Sequence, residues 1–202
     1  METRLLNIAA GKTGYLPDLE GPLSDFFVVN LDTMYYRHTP TDVIEERYRE
    51  WNSTTKKENV TFYCKEDVFE FLERTQMIFD MVTIYRFLEH VSFTQILYFI
   101  YLVSTVVRKG GLVDVIVPNY EVLAAMIRDE DVNSSNFERN NILLTTELLN
   151  QPSDPHASIW SPQRAKYFWE FENRFKIYSD LVCPNFKYDG RDIYLRFHVK
   201  RV

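Results

Sequence analysis

The chain is poor in the features that usually announce a site by spacing alone. It has two cysteines, Cys64 and Cys183, far apart in the sequence. No Cys/His spacing fits zinc, so no metal is expected, and both thiols read as buried and reduced, as in a cytoplasm. Glycine is scarce, with six in 202 residues, which bears on the phosphate-binding loops considered below. An excess of basic charge is lacking too: the formal net charge is −6. A DNA-coating surface must neutralise phosphates, so DNA is disfavoured as a partner. The most apolar run, "FTQILYFIYLVSTVV" (93–107), falls short of the roughly 20 residues that span a bilayer and carries Gln95, Ser104 and Thr105. It reads as a buried helix. The N-terminal "METRLLNIAAGK" has no apolar signal core, so a cytoplasmic, membrane-free protein is expected.

What is present is a substantial apolar inventory. Hydrophobic residues make up 46% and aromatic residues 15% of the chain, enough to exclude disorder over most of it. With no repeat, low-complexity segment or linker, residues 1–202 read as one domain. Apolar runs "LLNIAA" (5–10), "FFVVNLD" (26–32), "VTFYC" (60–64), "FDMVTIY" (79–85) and "LVDVIVP" (112–118) read as strands. Helical segments alternate with them. These are "TDVIEERYREW" with Thr41 or Asp42 as cap, "DVFEFLERTQ" with Asp67 as cap, Ser92 to Arg108 ended by "KGG", and 120–131 with Asn119 as cap. "NILLTTELLN" (141–150) is left open between helix and strand. "SPQRAKYFWEFENRF" (161–175) has a Ser cap and a first-turn proline. "KIYSDLVC" and "DIYLRFHVKRV" close the chain as an antiparallel hairpin at a sheet edge. This alternation predicts an α/β doubly wound, Rossmann-like, seven-stranded sheet, mostly parallel with a C-terminal antiparallel hairpin.

The stretch "LLNIAAGKTG" contains Gly-Lys-Thr, the tail of an ATP-binding loop. Such a loop needs a glycine five places before Gly11, where Leu6 stands, so the match fails. A nucleoside fits better. The first strand ends at Ala9-Ala10-Gly11, whose small side chains let a ligand approach the backbone. Asp32 closes the next strand 21 residues after Gly11, the place and distance for a carboxylate that accepts from both ribose hydroxyls. Asp67 follows the third strand, where it could meet an adenine amino group. All three lie at the carboxyl ends of strands.

In this order the segments resemble the class I S-adenosylmethionine-dependent methyltransferases, especially compact ones with a "LEH" motif. "LLNIAAGKTG" stands at their cofactor loop, "VVNLD" at the ribose acid and "CKEDVFEFL" at the adenine side. "FDMVTIYRFLEHV" stands at the fourth strand and its turn, and "VVRKGGLVDVIVPNY" at the fifth strand. The resemblance covers about residues 5–125, the cofactor-binding half, with 126–202 supplying substrate-side and closing elements. It implies S-adenosylmethionine as cofactor, held by Asn7, Ala9, Ala10, Gly11, Asp32, Thr33, Asp67, Val68 and Tyr85. The family loop commonly reads acid-x-Gly-x-Gly-x-Gly, whereas Asn7, Ala9, Gly11 and Thr13 occupy those places.

Methyl transfer is an in-line displacement that needs alignment and exclusion of water, and a base only where the acceptor must lose a proton. Tyr85, Arg86 and His156 are the candidate catalytic residues, with Tyr120 also facing substrate. The bland alternatives are packing for Tyr85, an ion pair with Glu89 for Arg86, and a surface position for His156. His90 is read as ordering its turn, and the stripe Phe168, Trp169, Phe171, Phe175 as core. No Asn-Pro-Pro-Tyr signature follows the fourth strand, which again disfavours DNA. The acceptor is expected to be a small molecule, a sugar or a protein. A non-catalytic binding or structural protein of the same fold is the alternative; a nicotinamide or sugar-nucleotide enzyme fits the glycine pattern worse.

Overall fold

A computed structural model describes residues 2–9, 25–32, 39–55, 58–128, 156–178, 187–188 and 191–202. Ala10, Gly11, Thr33, Cys183 and the segment 141–150 lie outside the described residues. The elements run β1 (Glu2–Ile8), β2 (Asp25–Leu31), α1 (Thr41–Ser53), β3 (Val60–Cys64), α2 (Val68–Arg74) and β4 (Phe79–Tyr85). A 3-10 turn (Leu88–His90), α3 (Ile96–Val106), β5 (Val107–Pro118) and α4 (Tyr120–Arg128) follow. After α5 (Pro162–Glu170) and a second 3-10 turn (Phe171–Asn173) come β6 (Phe175–Ile177), β7 (Lys187–Tyr188), β8 (Arg191–Asp192) and β9 (Tyr194–Arg201).

Seven strands form one sheet in the order β3-β2-β1-β4-β5-β9-β6. The first four pairings are parallel and the last two, β5 with β9 and β9 with β6, are antiparallel. The expected hairpin is therefore present, with β9 inserted between β5 and the edge strand β6; β7 and β8 form a separate two-stranded ribbon. Strand order reverses beside β1, so the carboxyl ends of β1 and β4 flank a crevice of the kind where ligands bind in open α/β sheets.

The two faces of the sheet differ. On one, Leu6, Ile8, Val29, Leu31, Val82, Ile84, Val113 and Val115 join Ile44, Phe71, Phe99 and Trp169 from α1, α2, α3 and α5 in the main core. On the other, a polar row crosses the sheet in register, Asn30–Asn7–Thr83–Asp114–His198. Its neutral part is chained by side chains: Thr83 Oγ1 donates to Asn7 Oδ1 (2.6 Å), Asn7 Nδ2 to Asn30 Oδ1 (3.0 Å), and Asn30 Nδ2 to the Phe62 carbonyl (3.4 Å). Buried polar groups are tolerable because they satisfy one another.

Several sequence expectations are corrected. α3 stops at Val106, and Val107 already has an extended backbone and pairs with Phe79. Lys109-Gly110-Gly111 is therefore no helix stop. It is an irregularity inside β5, which advances from Val107 to Leu112 while β4 advances from Phe79 to Met81. Gly110 has φ +74°, and a Cβ on Gly111 would stand 2.8 Å from Val107 Cγ1 and 2.9 Å from the Asp80 carbonyl. Both glycines serve strand geometry.

Neither Thr41 nor Asp42 caps α1, whose cap position is Pro40; Thr41 Oγ1 donates to Glu66 Oε2 at 2.6 Å. Asp67 and Ser161 cap α2 and α5 as expected. Asn119 does not cap through its side chain. Its amide oxygen is buried and has no hydrogen-bond partner among the described residues, while its backbone carbonyl accepts from Leu123 N. Phe168, Trp169 and Phe175 are core, but Phe171 is exposed in the second 3-10 turn.

Candidate functional site

The carboxyl ends of β1 and β2 lie side by side, with Ile8 opposite Leu31. Ala9 leaves β1 with φ +55°. That is the left-handed region, costly by roughly 1–2 kcal/mol for a residue with a Cβ and natural for glycine. Ala9 thus takes a backbone conformation that glycine adopts without strain. Asp32 follows β2, is buried, and its backbone N–H donates to the Cys64 carbonyl at 3.0 Å, tying it to the end of β3. Asn7 lies inside the sheet, its amide engaged with Thr83 and Asn30.

Beyond β3, Asp67 Oδ1 accepts from the Phe69 and Glu70 N–H groups at 2.9 and 3.2 Å. Val68 is buried beneath. Asp67 also borders an open, charged depression of about 530 Å³ shared with Thr41, Lys65, Glu66 and Arg74. Cys64 is a free, buried thiol pushed up to about 11 by burial, which suits a packed sulfhydryl and not a nucleophile.

At the end of β4, the Tyr85 hydroxyl donates to Asp114 Oδ2. Asp114 also receives both Arg196 Nε (3.1 Å) and Nη2 (2.8 Å), and His198 Nε2 stands 3.3 Å away. Burial pushes the Asp114 carboxyl up, but the hydrogen bonds from His198, Arg196 and Tyr85 together hold it below the usual carboxylate range. Arg86 has φ +52°, donates its backbone N–H to the Ile116 carbonyl at 2.8 Å, and places its guanidinium 5.4 Å from the Tyr194 ring centre. Non-glycine residues in this region are costly and cluster at functional sites.

The "LEH" turn then meets the loop before α5. The Glu89 carbonyl accepts from Ala157 N (2.7 Å) and Ser158 N (3.0 Å), and Ser158 Oγ donates to the Leu88 carbonyl (2.8 Å). This docking sets the His90 and His156 rings edge to face at 4.9 Å, and His156 Nδ1 stands 2.8 Å from the Tyr120 hydroxyl. The Glu89 carboxylate is fully buried, and ligand atoms of Glu89, His90 and His156 all lie within 4.8 Å of one another. No spacing rule joins residues 89–90 to 156. The only sequence signal was a histidine in each of two short motifs, "LEH" and "DPHASIW". His156 is half-buried.

The candidates fall into two groups. Ala9, Asp32, Asp67 and Val68 line the carboxyl ends of β1 to β3. Tyr85, Arg86, Asn119, Tyr120 and His156 gather around the ends of β4 and β5.

No protein-family model matches the sequence, and no curated protein sequence matches it. Solved structures do. A SAM-dependent methyltransferase from Methanosarcina mazei is 14% identical over 100% of this chain and 93% of its own, with a TM-score of 0.56. The small RNA methyltransferase HEN1 is 15% identical over 98% of this chain and 23% of its own, with a TM-score of 0.61. DhpI, in a SAM–HEP complex, is 15% identical over 98% and 78%, with a TM-score of 0.56. The chain has the Rossmann-like fold of the SAM-dependent methyltransferases.

Proposed function

We propose that the chain is an S-adenosylmethionine-dependent methyltransferase acting on a small molecule, a sugar or a protein side chain. The observation that carries this reading is the pair of adjacent strand tips. Ala9 turns with a glycine-like backbone beside a buried Asp32 that the end of β3 anchors. Asp32 would accept from the ribose hydroxyls, and Ala9 would meet the methionyl part; Ala10, Gly11 and Thr33 are proposed as further cofactor contacts. Asp67 keeps one carboxylate oxygen for the helix cap and offers the other, with Val68, to adenine. S-adenosylmethionine, when bound, supplies an activated methyl group for in-line displacement.

The chain's own residues would then orient the acceptor and exclude water. Tyr85 is fixed by Asp114, Arg86 is held over Tyr194, and Tyr120 is bonded to His156. Asn119 adds a buried amide oxygen that no described residue uses. A donor on the acceptor would satisfy it, because burying an unused acceptor is costly.

One observation favours the non-catalytic alternative. The Asn7 amide bonds within the sheet, so it replaces the family's acid without offering its charge. Titration with S-adenosylmethionine and S-adenosylhomocysteine separates the two. Saturable binding that Asp32→Ala abolishes supports the enzyme. Absence of binding at millimolar cofactor supports a non-catalytic role.

A further inference from the structure

We infer that Glu89, His90 and His156 form a binding site for one divalent transition-metal ion, zinc being the best fit. Two imidazoles and one carboxylate are a donor set for first-row transition metals; magnesium and calcium prefer all-oxygen shells. The three ligand atoms come from two segments brought together by tertiary contacts, and all lie within 4.8 Å of one another. Donors bound to zinc at about 2.0–2.2 Å sit roughly 3.4 Å apart in a tetrahedron. Binding would draw the Glu89 and His90 side chains toward the His156 ring that Tyr120 holds.

The surroundings support ligation. Backbone bonds from Ala157 and Ser158 to the Glu89 carbonyl lock the loop that carries His156 onto the turn that carries Glu89 and His90. The Tyr120 hydroxyl, 2.8 Å from His156 Nδ1, fixes that ring. A proton on Nδ1 donated to Tyr120 leaves Nε2 to ligate, which is the outer-shell support metal-bound histidines commonly have. A fully buried carboxylate close to two imidazoles also gives a cation a strong electrostatic well. Three protein ligands leave a fourth position for water or an oxygen-bearing ligand.

The test uses untagged full-length protein stripped with a chelator, titrated with zinc by calorimetry and with cobalt by visible absorption, without S-adenosylmethionine. Metal binding is then read independently of the methyltransferase assignment. One ion per chain is expected. His90→Ala and His156→Ala should each weaken zinc by about 100-fold or more, and Tyr120→Phe by about 10–100-fold. Glu89→Gln should abolish the cobalt spectrum. Because Glu89 is buried, circular dichroism checks the fold of each variant, and His156→Ala, in a half-buried loop, carries the test if Glu89→Gln does not fold. Absence of zinc uptake by the stripped protein, or uptake unchanged in both histidine variants, overturns the site. Magnesium binding as tightly as zinc overturns the choice of a transition metal.

Discussion

Asp114 and Glu89 are both fully buried carboxylates. Asp114 sits mid-strand in β5 and is met by a bidentate guanidinium, a phenol and an imidazole. Glu89 sits in a short turn, and ligand atoms of two imidazoles from different segments lie within 4.8 Å of its carboxylate. The first arrangement is closed: its donors are provided by β4 and β9, the neighbouring strands, so the network zips the parallel part of the sheet to its antiparallel edge. The second is a Glu–His–His donor set of the kind that suits a transition metal. Burial of a carboxylate thus has two physical solutions in one molecule, one by permanent cations of the protein and one that a metal would complete.

The largest break is expected at Asp114. Asp114→Ala should cost about 3–5 kcal/mol in urea unfolding, because Arg196 is left without its carboxylate. Asp114 shares a pH signature with a separate carboxylate. Asp114, and Asp80 between Arg4 and Arg108, both titrate below the ordinary range in the folded state. For Asp80, burial pushes upward and the hydrogen bonds from Arg4 and Arg108 outweigh it. The unfolded chain then binds more protons on acidification. Their stabilisation is complete above about pH 4 and is lost as the pH falls through the lowered native values, which unfolding measured between neutral pH and about pH 2 should show.

Next comes the metal side of the comparison. At zinc concentrations of about 100 Kd, the wild-type protein should gain about 2.7 kcal/mol of apparent stability, read as a rise in Tm, and Glu89→Gln should gain none. A control outside both networks is Gly111→Ala. Its Cβ would crowd the Asp80 carbonyl and Val107, at a cost of about 1–3 kcal/mol without change in metal affinity. The smallest effect is Asp67→Ala, about 1 kcal/mol from the lost α2 cap, together with weaker S-adenosylmethionine binding. Loss of stability with unchanged cofactor affinity would confine Asp67 to capping.

Strands β3 and β4 begin and end where their apolar, β-branched runs do, and Asp67 and Ser161 are read correctly as caps from local chemistry alone. The "KGG" segment shows where local reading fails. Glycine ends helices and also admits bulges, and only the pairing of Val107 with Phe79 chooses between them. The surroundings of Asn7 are hidden for a related reason. The in-register row that joins it to Asn30, Thr83, Asp114 and His198 exists only once five strands are laid side by side. In the same way, Tyr85 stands out in the sequence as a candidate while its hydrogen-bond partner Asp114 does not.

Alternating hydrophobic runs and their punctuation determined the α/β architecture, since each strand and helix answers to periodicity and caps within its own residues. The tertiary structure decided which polar groups meet. His156 reaches Glu89 and His90 only because a loop docks on a turn 66 residues earlier, and contacts at that separation depend on packing, which no local pattern encodes.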